Sequence, residues 1–340
     1  MTTEPRQTQF GAGFDQMGEH PLTVLVRPDT SGAVGLHDTL LSLAAQITQE
    51  FDVAILAAGW SDDHVRQLEG IVAGFDRSFA GRVRVVTDRD GSMANALVSI
   101  GRARSVSHRW ATSPYVTVVT SPDVAFAHWT SSISSTIERR PGVLIHSVVA
   151  SQPFEVARHG EHLTYTSVGR PRVPWPTQFD LVAFISNGPG TEPCSAFAIP
   201  VDTLSTLPEK IEGPSSLPDD ERLWRIVSTI ALRGEVVDVS EVLQLRRHSQ
   251  EGSGHDYALS PSPISGSAAV SSYLRELDGR GLLGPGSSLH TLLVDGERGE
   301  EAECGRATAT STTASQGSTK HWGIRSLAGF MAWCRRTFRP

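Results

Sequence analysis

Short apolar runs alternate with amphipathic stretches from Leu22 to about Val149. The runs occupy 22–27 (LTVLVR), 52–59 (DVAILAAG), 83–87 (VRVVT), 115–120 (YVTVVT) and 142–150 (GVLIHSVVA). Each is brief, rich in β-branched residues and apolar on both faces, the pattern of strands covered by helices on both sides. The stretches between them (37–50, 62–75, 92–104 and 127–140) read as helices; in the first, Leu40, Leu43, Ala44 and Ile47 form one apolar stripe. This alternation predicts an α/β fold: a mostly parallel central sheet flanked by helices on both sides and joined by right-handed crossovers. Beyond residue 150 the pattern loosens. Residues 154–168 predict a hairpin around His159-Gly160-Glu161, 170–179 a proline-stiffened connection and 194–200 a strand. Within 216–239, Leu223, Ile226, Val227 and Ile230 recur at helical spacing until Gly234, and a strand follows.

The same pattern divides the chain. Residues 1–20 are polar, lack the apolar stretch of a secretory signal, and are expected to be flexible. The α/β domain runs from 21 to 250. A loop-rich extension follows over 251–296, with one further helix predicted at 268–283. Residues 297–319 hold almost no large apolar side chain and are expected to be a disordered linker. The tail, 320–340, places Ile324, Leu327, Met331 and Cys334 on one helical face and carries Lys320, Arg325, Arg335, Arg336 and Arg339. Such a helix suits an anionic membrane surface or a partner, and equally docking on its own domain. No stretch approaches the length of apolar residues needed to span a bilayer. The expected location is therefore cytoplasmic, with contact at the inner membrane face through the tail.

Composition removes some functions. The net charge of −7 argues against nucleic acid as the main partner. Cys194, Cys304 and Cys334 are odd in number and far apart, as expected of reduced thiols rather than a disulfide frame or a zinc site. Gly11-Ala12-Gly13 lacks a preceding strand, and no Gly-x-Gly-x-x-Gly follows the first run, which disfavours a dinucleotide enzyme.

Candidate chemistry gathers at predicted strand ends, where open α/β sheets bind ligands. Asp123 ends the run 115–120 within Thr120-Ser121-Pro122-Asp123. It either caps the turn's own amides or presents a carboxylate at the sheet edge. Asp88 and Asp62 share that placement, although Ser61, Asp62 and Asp63 also form an ordinary helix start. Asp219, Asp220 and Glu221 open the late helix, where they favour the helix dipole or serve as a general base. Trp60 covers the sheet edge or stacks on a ligand's ring. His159 and His162 lack metal-site spacing and are expected on an exposed turn.

The order of these segments resembles family 2 glycosyltransferases over about residues 21–250. Leu41-Ser42-Leu43, Gln46 and Phe51-Asp52-Val53 match the family's first helix and second strand. Residues 82–97 look like its third strand and following helix. Residues 115–129 are similar to the segment bearing its metal-binding Asp-x-Asp motif, and 217–248 to the late segment with an acidic pair, a helix, a strand and an Arg/His-containing loop. The resemblance implies a nucleotide-diphospho-sugar transferase (GT-A) fold. It implies inverting transfer of a sugar from a nucleotide-sugar donor to a glycan, lipid or protein acceptor. Arg27, Pro28, Asp29, Trp60 and Asp88 would contact the donor, and Asp123 and His248 would hold a weakly bound divalent cation, manganese or magnesium. Asp220 or Glu221 would be the base, with Asp219 in reserve. Two positions depart from the family: Ala57-Ala58-Gly59-Trp60 replaces an aspartate that holds the base, and Ser121-Pro122-Asp123 keeps one carboxylate of two. The alternative expectation is a non-catalytic relative serving as a binding or scaffold protein in glycan assembly.

Overall fold

The computed structural model describes residues 20–28, 33–57, 60–87, 92–106, 113–159, 162–167, 170–190, 192–208, 211, 213–214, 216–249 and 263–294. The first half contains β1 (Leu22–Arg27), α1 (Ala33–Ala44), β2 (Phe51–Leu56), α2 (Asp62–Ala73), α3 (Arg77–Ala80), β3 (Val83–Val86), α4 (Met93–Val106) and β4 (Tyr115–Thr120). Strands β1 to β4 are parallel, with β1 between β2 and β4 and β3 outside β2. Leu22, Val24 and Val26 are fully buried on one face of β1 and Leu25 on the other, so helices cover the sheet on both sides. The register pairs Arg27 with Thr120, which brings the carboxyl ends of β1 and β4 to one edge.

The second half adds β5 (Val124–Ala125), α5 (Trp129–Arg139), β6 (Leu144–His159), β7 (His162–Ser167), α6 (Leu181–Asn187), β8 (Phe197–Pro200), α7 (Val201–Ser205), α8 (Asp219–Arg233), β9 (Val236–Ser249) and α9 (Pro263–Gly279). Among the described residues the strands join one nine-stranded sheet in the order β3-β2-β1-β4-β8-β6-β9-β5, with β7 on β6. Beyond β4 the sheet is mixed: β8 is antiparallel to β4 and β6, β9 is parallel to β6, and β5 is antiparallel to β9. The parallel half is the part that the strand–helix alternation predicts.

Several boundaries differ from expectation for local reasons. The stripe Leu40, Leu43, Ala44, Ile47 breaks at Ala44, and Ile47 is 73% exposed. Gln46 ends the helix: its buried amide donates to the carbonyls of Ser42 and Phe126 and accepts from the Thr130 amide, tying α1 to the start of α5. The helix expected at 62–75 forms as α2, and Asp76, just beyond it, caps the additional short helix α3 through the amides of Ser78 and Phe79. The strand predicted at 194–200 begins as a 3₁₀ turn, Cys194–Ala196, before β8. Helix α6 is absent from the sequence reading; Asp180 caps it by accepting from the Ala183 amide. The hairpin at His159–His162 forms as predicted. The expectations for the flexible N-terminus, the linker and the basic tail helix fall outside the described residues. Among the described residues no helix is long and apolar enough to cross a membrane.

One close approach bears on the site. At Gly35 in α1 a Cβ would lie 2.8 Å from the Pro122 Cβ and 3.0 Å from the Ser121 Oγ. Only glycine lets α1 press against the turn that carries Asp123.

Candidate functional site

The first turn of α8 meets the end of β1. Arg27 places one guanidinium nitrogen 3.2 Å from Asp219 and both terminal nitrogens 3.3 Å from Asp220. Three consecutive acids favour the N-terminus of α8, whose amides lack partners there, yet each faces a different neighbour. Asp219 turns to α4: its oxygens accept from the Ser92 hydroxyl (2.5 Å) and from the amides of Met93 (2.9 Å) and Ala94 (3.1 Å). It is the cap of α4, and buried Arg222 reinforces the joint through Ser92 and Asn95. Glu221 accepts from Arg225 at 3.2 Å, and Arg225 reaches Glu276 of α9 at 2.9 Å. With its side chain 13% exposed, Glu221 is taken up in packing α9 onto α8. Asp220 remains the open acid, its side chain 47% exposed.

Asp123 is 4% exposed. Its carboxylate does not cap its own turn: Oδ1 accepts from the Arg247 amide of β9 at 2.9 Å. Its backbone is fixed too, the amide donating to Thr120 and the carbonyl accepting from the Thr39 hydroxyl of α1. Burial pushes the carboxyl up to about 7, against the opposing charge of Arg246, the Arg247 amide and the charges of Arg27 and Arg247.

Side chains alternate along β9. Arg247 faces α1, where it meets Asp38 at 2.8 Å and lies over the Phe154 ring. Arg246 therefore faces the opposite side. Its charge acts on both Asp123 and Cys194, and it makes no side-chain hydrogen bond or ion pair among the described residues. Burial and the charge of Asp220 push the Cys194 thiol up, so it stays protonated. Gln244 shares a face with Arg246 and is 1% exposed, with neither end of its amide partnered. The strand ends thus gather Arg27, Asp123, Cys194, Asp220 and Arg246 in one place.

Other predicted residues are dispersed. Pro28 is buried directly after Arg27. Trp60 is half-buried against the core and lies edge-on to His64, which suits a sheet-edge cover. Ser61 caps α2 through the His64 amide, leaving Asp62 and Asp63 as first-turn acids. His248 continues β9 opposite Pro153; its side chain, like Asp29 and Asp88, lies outside the described residues.

One cluster escaped the sequence reading. His146 is fully buried, Nδ1 2.6 Å from Asp238 and Nε2 2.6 Å from Glu192. Burial opposes its charge, but the bonds and charges of Glu192 and then Asp238 outweigh that, so the imidazole is held charged above its ordinary range. It packs against Phe179 and Phe197 and braces β6, β9 and the segment before β8. The signal was a histidine inside an otherwise apolar strand.

No family model and no curated protein matches the sequence. Solved structures do. The Pyrobaculum calidifontis mannosyltransferase PcManGT, solved with GDP-Man and Mn2+, is similar over 96% of this chain and 82% of its own, at 14% identity and a TM-score of 0.50. Staphylococcus aureus TarS (residues 1–349, with UDP-GlcNAc) matches 75% of this chain and 66% of its own, at 13% identity and a TM-score of 0.45. GalNAc-T7, solved with UDP, GalNAc and Mn2+, matches 76% and 48%, at 10% identity and 0.45. The fold is GT-A. The nucleotide-diphospho-sugar transferase architecture expected from the sequence is the one this chain adopts.

A GT-A fold raises the question of a divalent cation. Such an ion needs several oxygen ligands, usually more than one of them charged. Among the described residues no three of His, Cys, Asp or Glu converge as a metal site. Asp123 contributes one carboxylate, already bonded to the Arg247 amide, and its electrostatic neighbours Arg246, Arg27 and Arg247 are all cations. The described residues do not fit a resident cation.

Proposed function

We propose that the chain is a glycosyltransferase that moves a sugar from a nucleoside-diphosphate donor to a hydroxyl on a glycan, lipid or protein acceptor, as family 2 enzymes do. The observation that carries this reading is the meeting of Asp220 from α8 with Arg27 at the carboxyl end of β1, beside the end of β4 that leads to Asp123. Ligands of open α/β sheets bind at that edge. Guanidinium groups there suit the donor's phosphates, because planar N–H donors match phosphate oxygens in charge and geometry.

In this reading the donor lies over β1 and β4 with its diphosphate toward Arg27. Asp220 is the general base. It is the one acid of the α8 triplet left open to an incoming hydroxyl, its Oδ1 fixed by Arg27 and its Oδ2 free of hydrogen bonds among the described residues. In-line attack by the hydroxyl that Asp220 deprotonates, with the diphosphate leaving, gives displacement with inversion. Asp219 ties the start of α8 to α4 by capping it. The basic tail 320–340 suits work at an anionic membrane face from the cytoplasm.

A second reading has its own support. Ala57-Ala58-Gly59-Trp60 stands where the family places an aspartate, no cluster of three metal-ligating side chains forms among the described residues, and Glu221 is bound to Arg225. These favour a module that binds donor or glycan without turnover. Incubating the full chain with a panel of UDP-, GDP-, ADP-, CDP- and dTDP-sugars, with cell-envelope extract as acceptor, separates them. Chromatographic release of a nucleoside diphosphate is expected from one donor class; binding without release in any mixture would establish the module.

A further inference from the structure

Resting on the donor reading above, we propose that the diphosphate is neutralised by the guanidinium of Arg246, with Arg27 at the rim, in place of a divalent cation. The pairing of charges points to Arg246. Arg247 is matched by Asp38, and Arg27 by Asp219 and Asp220. Arg246 alone of the three has no hydrogen-bonded or ion-paired partner among the described residues, although it sits beside a nearly buried carboxylate. Strand alternation sends it to the face opposite Arg247, away from α1, where Cys194 feels its charge together with those of Arg27 and Asp220.

A cation and a diphosphate make opposite demands on such a place. A divalent ion would stand among guanidinium charges with one carboxylate to hold it, and repulsion between charges a few ångströms apart is strong where water is excluded. A diphosphate brings several negative oxygens and needs N–H donors. Arg246 supplies a fork of them. Gln244, two residues earlier on the same face, supplies an amide whose nitrogen and oxygen are both buried and unpartnered. A buried polar group left unpaired is destabilising, and a ligand oxygen accepting from its nitrogen removes part of that cost.

The test uses UDP, GDP, ADP, CDP and dTDP titrated calorimetrically into the full chain, in EDTA and again with excess MnCl2. One nucleotide is expected to bind in EDTA, with an affinity that Mn2+ changes by less than about threefold. Arg246→Gln should weaken that binding by about 10- to 100-fold, the range for a lost charge-assisted hydrogen bond. Arg246→Lys, which keeps the charge and loses the fork, should fall between. Circular dichroism of each variant monitors folding, and the lysine variant keeps the test open should the glutamine variant misfold. Binding that requires Mn2+ overturns the proposal while leaving the donor reading intact, and so does Arg246→Gln binding like the wild type. Failure of every nucleotide in both buffers removes the donor reading and this inference together.

Discussion

Asp220→Asn is expected to lower the transfer rate by about 10²- to 10⁴-fold, the usual contribution of a positioned general base, while changing donor affinity little. The amide keeps the size of the side chain and one acceptor oxygen for Arg27, but takes no proton from a hydroxyl. The neighbouring acids give the contrast. Glu221→Gln disturbs the chain of Arg225 and Glu276 that holds α9 to α8, so its main effect should be on melting temperature. Asp219→Asn removes the charge from a carboxylate that accepts four hydrogen bonds, from Ser92, Met93, Ala94 and Arg27, and should likewise act through stability. Rates for the three variants at saturating donor, each compared with its melting curve, check the assignment. A Glu221→Gln enzyme that is inactive but fully stable, beside an active Asp220→Asn enzyme, would move the base by one residue.

Asp123→Asn should stabilise the protein above neutral pH. The folded carboxyl sits at about 7, above the ordinary aspartate range, because burial outweighs the arginines around it. Between about pH 4 and 7 the native state keeps a proton that the unfolded chain has lost. Stability therefore falls as pH rises through that window and levels off above it. At about 1.4 kcal/mol for each pH unit of displacement, the loss amounts to at most about 4 kcal/mol at pH 8. The groups facing Asp123 are Arg27 from β1 and Arg246 and Arg247 from β9. Asparagine mimics the protonated acid and still accepts from the Arg247 amide. Urea unfolding at pH 4, 6 and 8 should give a variant equal to the wild type at the lowest pH and more stable at the highest. A variant less stable at pH 8 would mean that the charge on Asp123 is needed by the fold.

The parallel half of the sheet was legible because its strands are apolar on both faces and its helices carry an amphipathic period. The mixed half was not. β5 has only two residues and is defined by its partner β9 rather than by its own sequence. β6 absorbs an apolar run and one arm of a hairpin into sixteen residues, with register shifts at Ser147 to Val149 that no local pattern announces. At the site, position along the chain located Asp123, Arg27 and the acids of α8 at strand and helix ends. It did not distribute their duties. That Asp219 caps α4 from 126 residues away, and that Glu221 rather than Asp220 pairs with Arg225, depends on which face of α8 meets which neighbour. The Arg246-Arg247 pair read as part of an Arg/His-containing loop, whereas both residues lie in β9. Only strand alternation, with Asp38 claiming one arginine, separates the two.

The central claim is that the carboxyl ends of β1 and β4, beside α8, hold a nucleoside-diphosphate sugar. Thermal unfolding of the full chain with millimolar UDP-, GDP-, ADP-, CDP- and dTDP-sugars tests it most directly. A ligand that binds only the native state at a hundredfold excess over its Kd adds about 2.7 kcal/mol, a rise in Tm of roughly 5–10 °C for a domain of this size. The account predicts such a rise for at least one nucleotide class, reproduced by its free nucleoside diphosphate and reduced by Arg27→Ala. A Tm unmoved by every donor, with and without Mn2+, would contradict it.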